Sequence, residues 1–257
     1  MLDMKILHAI AAAALMMFIA SSSVHAVEIE ALISTAIKAA IDDLTPPFER
    51  ASGHTLKASY GPSGGVKRRF EGGEPADLIA LDSKLLDDLI KQGQMRPGRT
   101  DIARTGIGIA VKKGAPKPDV SSADALKRAL LAAKTVGHTA PAGGGITAVH
   151  LINMFEKLGI GKEVTAKTKL AVGGPNGRVS VLVSSGEAEI GLQLVSELMS
   201  NPEVEVIGML PAELQLTAVM SAGVTAGAKQ PEAAKAFIAY LASPATQPVY
   251  KSKGLAF

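Results

Sequence analysis

Segments of strand and helix character alternate along this chain, and this alternation constrains the fold more than any other feature. The apolar run Ala76–Leu81 has the length of a buried strand, and Leu85, Leu86, Leu89 and Ile90 follow it at helical spacing. The same order recurs towards the end of the chain. Such an alternation favours an α/β fold in which helices cover both faces of parallel sheets.

The predicted elements leave no room for a repeat or a long linker. Strands are predicted at Thr55–Tyr60, Ala76–Leu81, Gly106–Val111, Thr135–Thr139, Lys169–Val172, Glu189–Leu194, Val204–Met209 and Leu216–Ala222. Helices are predicted at Ser34–Arg50, Val66–Glu71, Arg178–Ser185, Pro231–Ala242 and Ala245–Lys253. Three more are predicted to begin after a cap at Ser83, after a cap at Ser122 and at Thr147. Two lobes would therefore have to be joined by crossing strands, and Gly106–Val111 and Leu216–Ala222 are the candidates.

Residues 1–26 have the layout of a secretory signal peptide. Lys5 precedes the apolar stretch Ile6–Ala20, polar Ser21–Ser23 follow, and Ala26 stands before the expected cleavage point. The apolar stretch, about 15 residues, is shorter than the roughly 20 that span a bilayer. We expect a mature chain that starts at Val27 and is released into the periplasm.

Composition excludes several kinds of site and partner. The chain contains no cysteine, so disulfides, thiolate metal sites and a lipid-modified cysteine are impossible. Histidines and carboxylates are not clustered at metal-ligand spacing, and we expect neither a metal nor another cofactor. The net charge is +3, and no basic tract carries interleaved aromatic residues, so we expect no nucleic-acid partner.

Small hydroxyl or glycine residues stand at three predicted helix starts: Ser34-Thr35, Ser63-Gly64-Gly65, and Gly143-Gly144-Gly145 before Thr147. A helix start offers unpaired backbone N–H donors and a partial positive charge, and glycine lets an anion approach the backbone closely. Taken singly, each turn is explained by ordinary capping and turn chemistry. Three such turns in one exported α/β chain favour a binding site for a small anion.

The order of several motifs resembles the periplasmic molybdate-type binding proteins. The helix start Leu32-Ile33-Ser34-Thr35-Ala36, the turn Gly61-Pro62-Ser63-Gly64 and the segment Gly73-Glu74-Pro75-Ala76-Asp77 match the first part of that family's pattern. Gly144-Gly145-Ile146-Thr147, Glu156-Lys157-Leu158-Gly159 and Gly186-Glu187-Ala188-Glu189-Ile190-Gly191 match its later part. The resemblance covers essentially the whole mature chain.

The resemblance implies a type II periplasmic binding fold, with two α/β lobes joined by two crossing strands and a ligand cleft between them. We expect residues 27–105 and 216–257 to form one lobe and residues 106–215 the other. The implied function is solute binding for an ABC importer, as a monomer that serves a permease and its ATPase, and not catalysis. The implied ligand-binding residues are Ser34, Ser63, Gly64, Thr147, Asn176 and Gln193.

One departure from the family's pattern bears on the ligand. Gly191-Leu192-Gln193-Leu194 has leucine where the family places a tyrosine that donates its hydroxyl to molybdate, and Gln193 or Ser196 could replace that donor. The expected ligand is an oxyanion such as molybdate or tungstate, with a small organic polycarboxylate as the alternative. For a polycarboxylate, Arg178, His138 and His150 would be the better candidate ligands, and the basic run Lys67-Arg68-Arg69 could attract an anion to the cleft.

A distant alternative is a serine hydrolase. Gly61-Pro62-Ser63-Gly64-Gly65 fits the Gly-x-Ser-x-Gly nucleophile elbow and lies between a predicted strand and a predicted helix. Such an enzyme would need a histidine beside Ser63, and His138 and His150 are the candidates. Both precede long α/β stretches, although that fold places its histidine near the end of the chain.

Overall fold

Nine strands and ten α-helices make up the part of the chain that the computed structural model describes, residues 25–143, 145–172 and 178–256. The strands are β1 Glu28–Ser34, β2 Thr55–Gly61, β3 Leu78–Asp82, β4 Thr100–Lys112, β5 Val136–Thr139, β6 Thr168–Ala171, β7 Ile190–Leu194, β8 Val204–Met209 and β9 Thr217–Val224. The helices are α1 Lys38–Ser52, α2 Ser63–Glu71, α3 Ser83–Lys91, α4 Ala123–Ala132, α5 Ile146–Lys157, α6 Gly161–Thr165, α7 Val179–Ser185, α8 Val195–Leu198, α9 Pro231–Leu241 and α10 Gln247–Ser252. Short 3-10 turns lie at Thr35–Ile37, Pro141–Gly143, Ala212–Leu214 and Pro244–Thr246.

The strands follow the order β2-β1-β3-β9-β4-β7-β5-β6, and β8 also pairs with β4. β1 is parallel to β2 and β3, and β5 is parallel to β6 and β7. Parallel neighbours need a crossover, and helices provide it between consecutive strands of both groups. The predicted parallel pairing is observed within these two groups, whereas β4 and β9 pair antiparallel with their neighbours.

Strand β4 belongs to both groups of strands. Its residues 100–106 pair with β9, whereas residues 107–112 pair with β7 and β8. β9 then returns the chain from β8 to β3. Two α/β lobes are thus joined by β4 and β9. The predicted lobe boundary at residues 105 and 106 falls within β4, which begins at Thr100 and not at Gly106 as expected.

The hydrophobic core of the first lobe is built on β1 and α1. Ile29, Ala31 and Ile33 alternate on the buried side of β1, and α1 presents an apolar face of Ala40, Ile41, Leu44 and Phe48 to the same core. Phe48 meets Phe237 of α9 edge-on, with ring centroids 4.8 Å apart. The packing holds β1 in place, and the position of Ser34 at its end depends on it.

Several local predictions need correction. β1 was not predicted at all, although its apolar run has strand length, and the short helices α6 and α8 were not predicted either. Ser83 does not cap α3, because the Asp82 side chain accepts the hydrogen bond from the Lys84 amide and Ser83 is the first helical residue. The cap at Ser122 is confirmed, since its hydroxyl accepts from the Ala125 amide.

Within the described residues, every helix is too short or too polar to cross a bilayer. The predicted signal peptide falls almost entirely on residues 1–24, which lie outside the described part of the chain.

Candidate functional site

The carboxyl ends of β1, β2 and β3 bring Ser34, Ser63 and Asp82 together. The parallel register pairs Ser34 with Gly61, and α2 begins two residues later at Ser63. Ser63 Oγ donates to Ser34 Oγ over 2.9 Å, and each oxygen also accepts one backbone N–H, from Asp82 and Ala36 respectively, at 3.3 Å. The pair has two hydroxyl protons, and their mutual bond uses one. The second proton is not used in that bond.

The start of α2 lies beside this pair. Pro62 stands at the N-cap position and makes no side-chain cap, so the first-turn amides, including that of Gly64, have no capping acceptor. The sequence therefore correctly placed Ser34, Ser63 and Gly64 at one end of one lobe. Ser34 and Ser63 are themselves almost fully buried, at 2% and 5% exposure.

A second polar cluster lies at the carboxyl ends of β5 and β7. The Gln193 carboxamide donates from Nε2 to Thr139 Oγ1 over 2.6 Å and accepts at Oε1 from Thr147 Oγ1 over 3.0 Å. The Leu194 amide also donates to Oε1, over 3.2 Å, and this contact fixes which end of the carboxamide is the acceptor. Thr147 therefore uses its hydroxyl proton inside the protein, whereas Thr139 keeps its own proton for another acceptor.

A cleft of about 740 Å³ separates the two clusters. Thr35, Gly61 and Pro62 line it on the side of the first lobe, and Thr139, Gln193 and Ser196 line it on the other. Of the predicted site residues, Gln193 faces the cleft. Ser34, Ser63 and Thr147 lie behind its walls and support it. Carboxyl ends of strands are the usual place for ligands in α/β sheets, so the position of the cleft matches a binding site.

Both positively and negatively charged side chains line the cleft. Lys38 forms a 2.5 Å ion pair with Asp42, whose other carboxylate oxygen accepts from the Tyr60 hydroxyl over 3.1 Å. Burial, followed by the charge of Asp42, raises the pKa of Tyr60. Arg178 lies exposed at the rim before α7 and lines the same cleft. An exposed guanidinium with a planar fork of donors suits a carboxylate group of a ligand.

Two residues of the short helix α8 complete the cleft. Ser196 is 4% exposed, and its hydroxyl oxygen has no hydrogen-bond partner among the described residues. Glu197 accepts a 2.8 Å hydrogen bond from Thr35 Oγ1, which belongs to the other lobe. Burial raises the pKa of the Glu197 carboxyl, while the Thr35 hydrogen bond and the charge of Arg178 act against that shift. The sequence predicted Ser196 as a substitute donor, whereas no motif pointed to Glu197 or Thr139.

The two histidines do not face Ser63. His138 is buried, and its Nδ1 lies 2.9 Å from the Thr139 carbonyl oxygen; burial lowers its pKa. His150 Nε2 lies 2.7 Å from the Leu214 carbonyl oxygen. Because Ser63 bonds to Ser34 and neither histidine bonds to Ser63, the described residues lack the nucleophile and base pair that a serine hydrolase requires.

The basic run on α2 is largely occupied by local partners. Lys67 pairs with Glu71 at 2.6 Å, and Arg69 forms a two-point pair with Glu74. Arg68 differs, since it reaches across to the Ala142 carbonyl oxygen at 3.5 Å. Asn176 lies outside the described residues, so its predicted contact with the ligand stays a prediction.

Two curated proteins are similar to this chain over most of its length. The aconitate isomerase of Pseudomonas sp. is 33% identical over 231 residues, which is 87% of this chain and 86% of that protein. The molybdate-binding protein ModA of Azotobacter vinelandii is 27% identical over 238 residues, 90% of either chain.

A solved structure shares the fold of this chain. The solved periplasmic molybdate-binding protein of Azotobacter vinelandii superposes with a TM-score of 0.71 and 19% identity, covering 89% of this chain and 99% of that one. A family profile described as "Bacterial extracellular solute-binding protein" matches residues 29–256. The chain therefore belongs to the family of bacterial extracellular solute-binding proteins, and both the resemblance to the molybdate-type binding proteins and the type II periplasmic binding fold are confirmed.

Proposed function

We propose that the protein is the periplasmic ligand-binding component of an ABC importer and that it binds a small organic polycarboxylate in the cleft. In this proposal the ligand lies between a lobe of residues 27–105 with 216–257 and a lobe of residues 106–215. The observation that carries the proposal is the pair of cleft-lining hydroxyl groups, Thr139 and Ser196, whose protons are not used in hydrogen bonds among the described residues. As a monomer, the loaded protein delivers its anion to a permease with its ATPase.

Three features favour a polycarboxylate over a tetrahedral oxyanion. The cleft of about 740 Å³ lies within the range of about 300–1,000 Å³ that organic ligands occupy, and a tetrahedral oxyanion would leave most of it to water. Arg178 at the rim offers a two-point contact to a carboxylate. The 33% identical relative is named for aconitate, an unsaturated tricarboxylate.

Molybdate or tungstate is the second candidate ligand. It is favoured by the 27% identical molybdate-binding relative and by the uncapped amides of α2 beside the serine pair. These neutral donors suit a fully ionised oxyanion. Leu194, in place of the tyrosine of the molybdate-binding pattern, removes one donor from such a site.

A thermal-shift panel with citrate, aconitate, molybdate, tungstate and phosphate decides between the two. A ligand present at about one hundred times its dissociation constant stabilises the native state by about 2.7 kcal/mol. We expect the tricarboxylates to raise the melting temperature and the oxyanions to leave it unchanged. Stabilisation by molybdate alone would make the oxyanion the ligand, and stabilisation by none of the five would defeat the anion-binding proposal.

The matched variants are Arg178→Gln and Arg50→Gln. Both arginines are exposed, but Arg50 lies in the last turn of α1 and not in the cleft lining. Losing a charged donor to a carboxylate costs about 1.5–3 kcal/mol of binding free energy, or roughly ten- to hundredfold in affinity. Arg178→Gln should show that loss for tricarboxylates, and Arg50→Gln should bind like the unchanged protein.

A further inference from the structure

Glu197 is the one feature of the cleft that anion binding by itself does not explain. Its side chain lines the cavity that holds the leftover hydroxyl donors and Arg178. Glu197 lies on α8, which starts directly after β7, the strand that carries Gln193. A carboxyl group offers no favourable charge to an anionic ligand, so binding alone does not account for Glu197 at this place.

Asp42 and Glu197 both line the cleft, but the residues that contact their carboxyl groups differ in charge. Asp42 is neutralised by Lys38 at 2.5 Å and accepts a further bond from Tyr60. Glu197 forms no ion pair among the described residues, and its bond is to the neutral hydroxyl of Thr35. Asp42 therefore has a cationic partner, whereas no cation is paired with Glu197, whose carboxyl group can both take up and release a proton; this agrees with the raised pKa that its burial produces.

The groups around Glu197 suit a ligand with several carboxylates. Ser196, next to it on α8, keeps an unpartnered buried hydroxyl, Thr139 keeps its hydroxyl proton, and Arg178 supplies a positive charge. Each of these can hold one carboxylate oxygen of the ligand. Because Glu197 lines the same cleft, its carboxyl group faces the space that such a ligand fills.

We propose that Glu197 transfers a proton between two carbon atoms of a bound unsaturated polycarboxylate, so that the cleft isomerises this ligand as well as binding it. The inference rests on the proposed polycarboxylate site. The Glu197 carboxylate removes a proton from the saturated carbon beside the double bond, and the electron pair of the broken C–H bond forms a new double bond. The old double bond's electrons spread onto the adjoining carboxylate, and the Glu197 carboxyl then returns its proton to the former vinyl carbon.

This step balances without an oxidant, a reductant or a second substrate, because one C–H bond breaks and one forms. Its intermediate carries an additional negative charge on the ligand. Arg178 and the hydroxyls of Thr139 and Ser196 are the groups in the cleft that stabilise this charge. A carboxyl group whose pKa is raised above its ordinary value is suited to act as base in the first half and as acid in the second.

The test is proton NMR of trans-aconitate with the purified full-length protein in deuterium oxide. We expect the methylene and vinyl signals to lose intensity by exchange while cis-aconitate appears. Glu197→Gln should bind trans-aconitate within a few-fold of the unchanged protein, as judged by thermal shift, yet exchange at least one hundredfold more slowly. Glu197→Asp, which keeps the carboxyl group, should retain part of the exchange, and its rate should still depend on pH.

The experiment distinguishes three negative outcomes. Binding of aconitate by the unchanged protein without exchange or isomerisation overturns this inference and leaves the proposed binding function intact. Exchange by Glu197→Gln at the rate of the unchanged protein assigns the proton transfer to another group and also overturns it. If no tricarboxylate binds, the proposed function fails first and the inference fails with it.

Discussion

At the scale of single residues, Thr139 and Thr147 contact the same carboxamide but differ in the proton that each can offer. Thr147 donates to Gln193 Oε1, while Thr139 accepts from Gln193 Nε2 and so keeps its proton. Thr139→Val should lower ligand affinity about tenfold or more, whereas Thr147→Val should leave affinity within about twofold. Both variants should lose about 1–3 kcal/mol of unfolding free energy, because each leaves a buried carboxamide atom short of a partner.

Calorimetric titration with the ligand identified by thermal shift, together with urea denaturation, measures both quantities. An equal loss of affinity in the two valine variants would contradict the assigned direction of the hydrogen bonds. The sequence predicted that Thr147 binds the ligand. The experiment tests this prediction against the alternative that Thr147 only holds the Gln193 carboxamide in place.

The Glu197 carboxyl group makes the free energy of unfolding depend on pH. Its native pKa is raised above the ordinary value of 4.5, so the native state holds this proton over a pH range in which the unfolded chain has released it. The stabilising contribution is present at acidic pH and is lost as pH rises through that range. Glu197→Gln removes the titration, so its stability relative to the unchanged protein should increase as pH rises above the ordinary pKa of 4.5.

Urea denaturation of the ligand-free protein across this pH range tests the sign. Glu187→Gln is the control, because Glu187 lies exposed in the turn after α7. Parallel curves for the unchanged protein and Glu197→Gln would show that the native state does not hold the proton. An opposite slope would place an ionised carboxylate in a stabilising contact.

At the scale of elements, α7 packs against β7 at a glycine. A methyl group at Gly191 would lie 2.5 Å from Val183 Cγ2 and 2.9 Å from Val179 Cγ1, closer than such atoms approach. Gly191→Ala should therefore cost about 1–3 kcal/mol of unfolding free energy through overpacking. Ligand affinity should also fall, because α7 begins directly after Arg178 and any shift of the helix moves that guanidinium.

Gly227→Ala is the matched control for this packing. A Cβ at Gly227 meets no atom within 4 Å, and this glycine has no positive φ. Its replacement should leave stability unchanged or raise it by about 0.4–1 kcal/mol. Chemical denaturation of both variants measures the change in unfolding free energy. Similar losses in the two would show that the close contact between α7 and β7 is not the cause of the loss in Gly191→Ala.

At the scale of the whole molecule, Thr35 with Glu197 and Arg68 with Ala142 connect the two lobes across the cleft. A ligand held by both walls favours the conformation in which those walls are close. A compact chain of this length has a radius of gyration of about 17 Å, and we expect saturating ligand to lower the measured value by about 1 Å. Small-angle scattering with and without ligand checks this, and an unchanged radius would argue against a clamp that closes.

Much of the architecture was predictable because it depends on local pattern. Apolar runs and helical spacing predicted eight of the nine strands and most of the longer helices, and helix-start chemistry placed Ser34 and Ser63 at one site. Pairing directions were not predictable in the same way. The antiparallel partners of β4 and β9 lie far apart in the sequence, so no local signal records them.

What the sequence determined by itself was the alternation of elements, the small hydroxyl and glycine residues at the helix starts and the resemblance to molybdate-type binding proteins. These follow from side-chain period, glycine and hydroxyl chemistry, and motif order, which a linear chain displays directly. Only the tertiary structure decided which hydroxyl protons are used internally and which remain for a ligand. The reason is that hydrogen bonds such as Thr35 to Glu197 and Gln193 to Thr139 join residues 162 and 54 positions apart, so their pairing exists only after the lobes assemble.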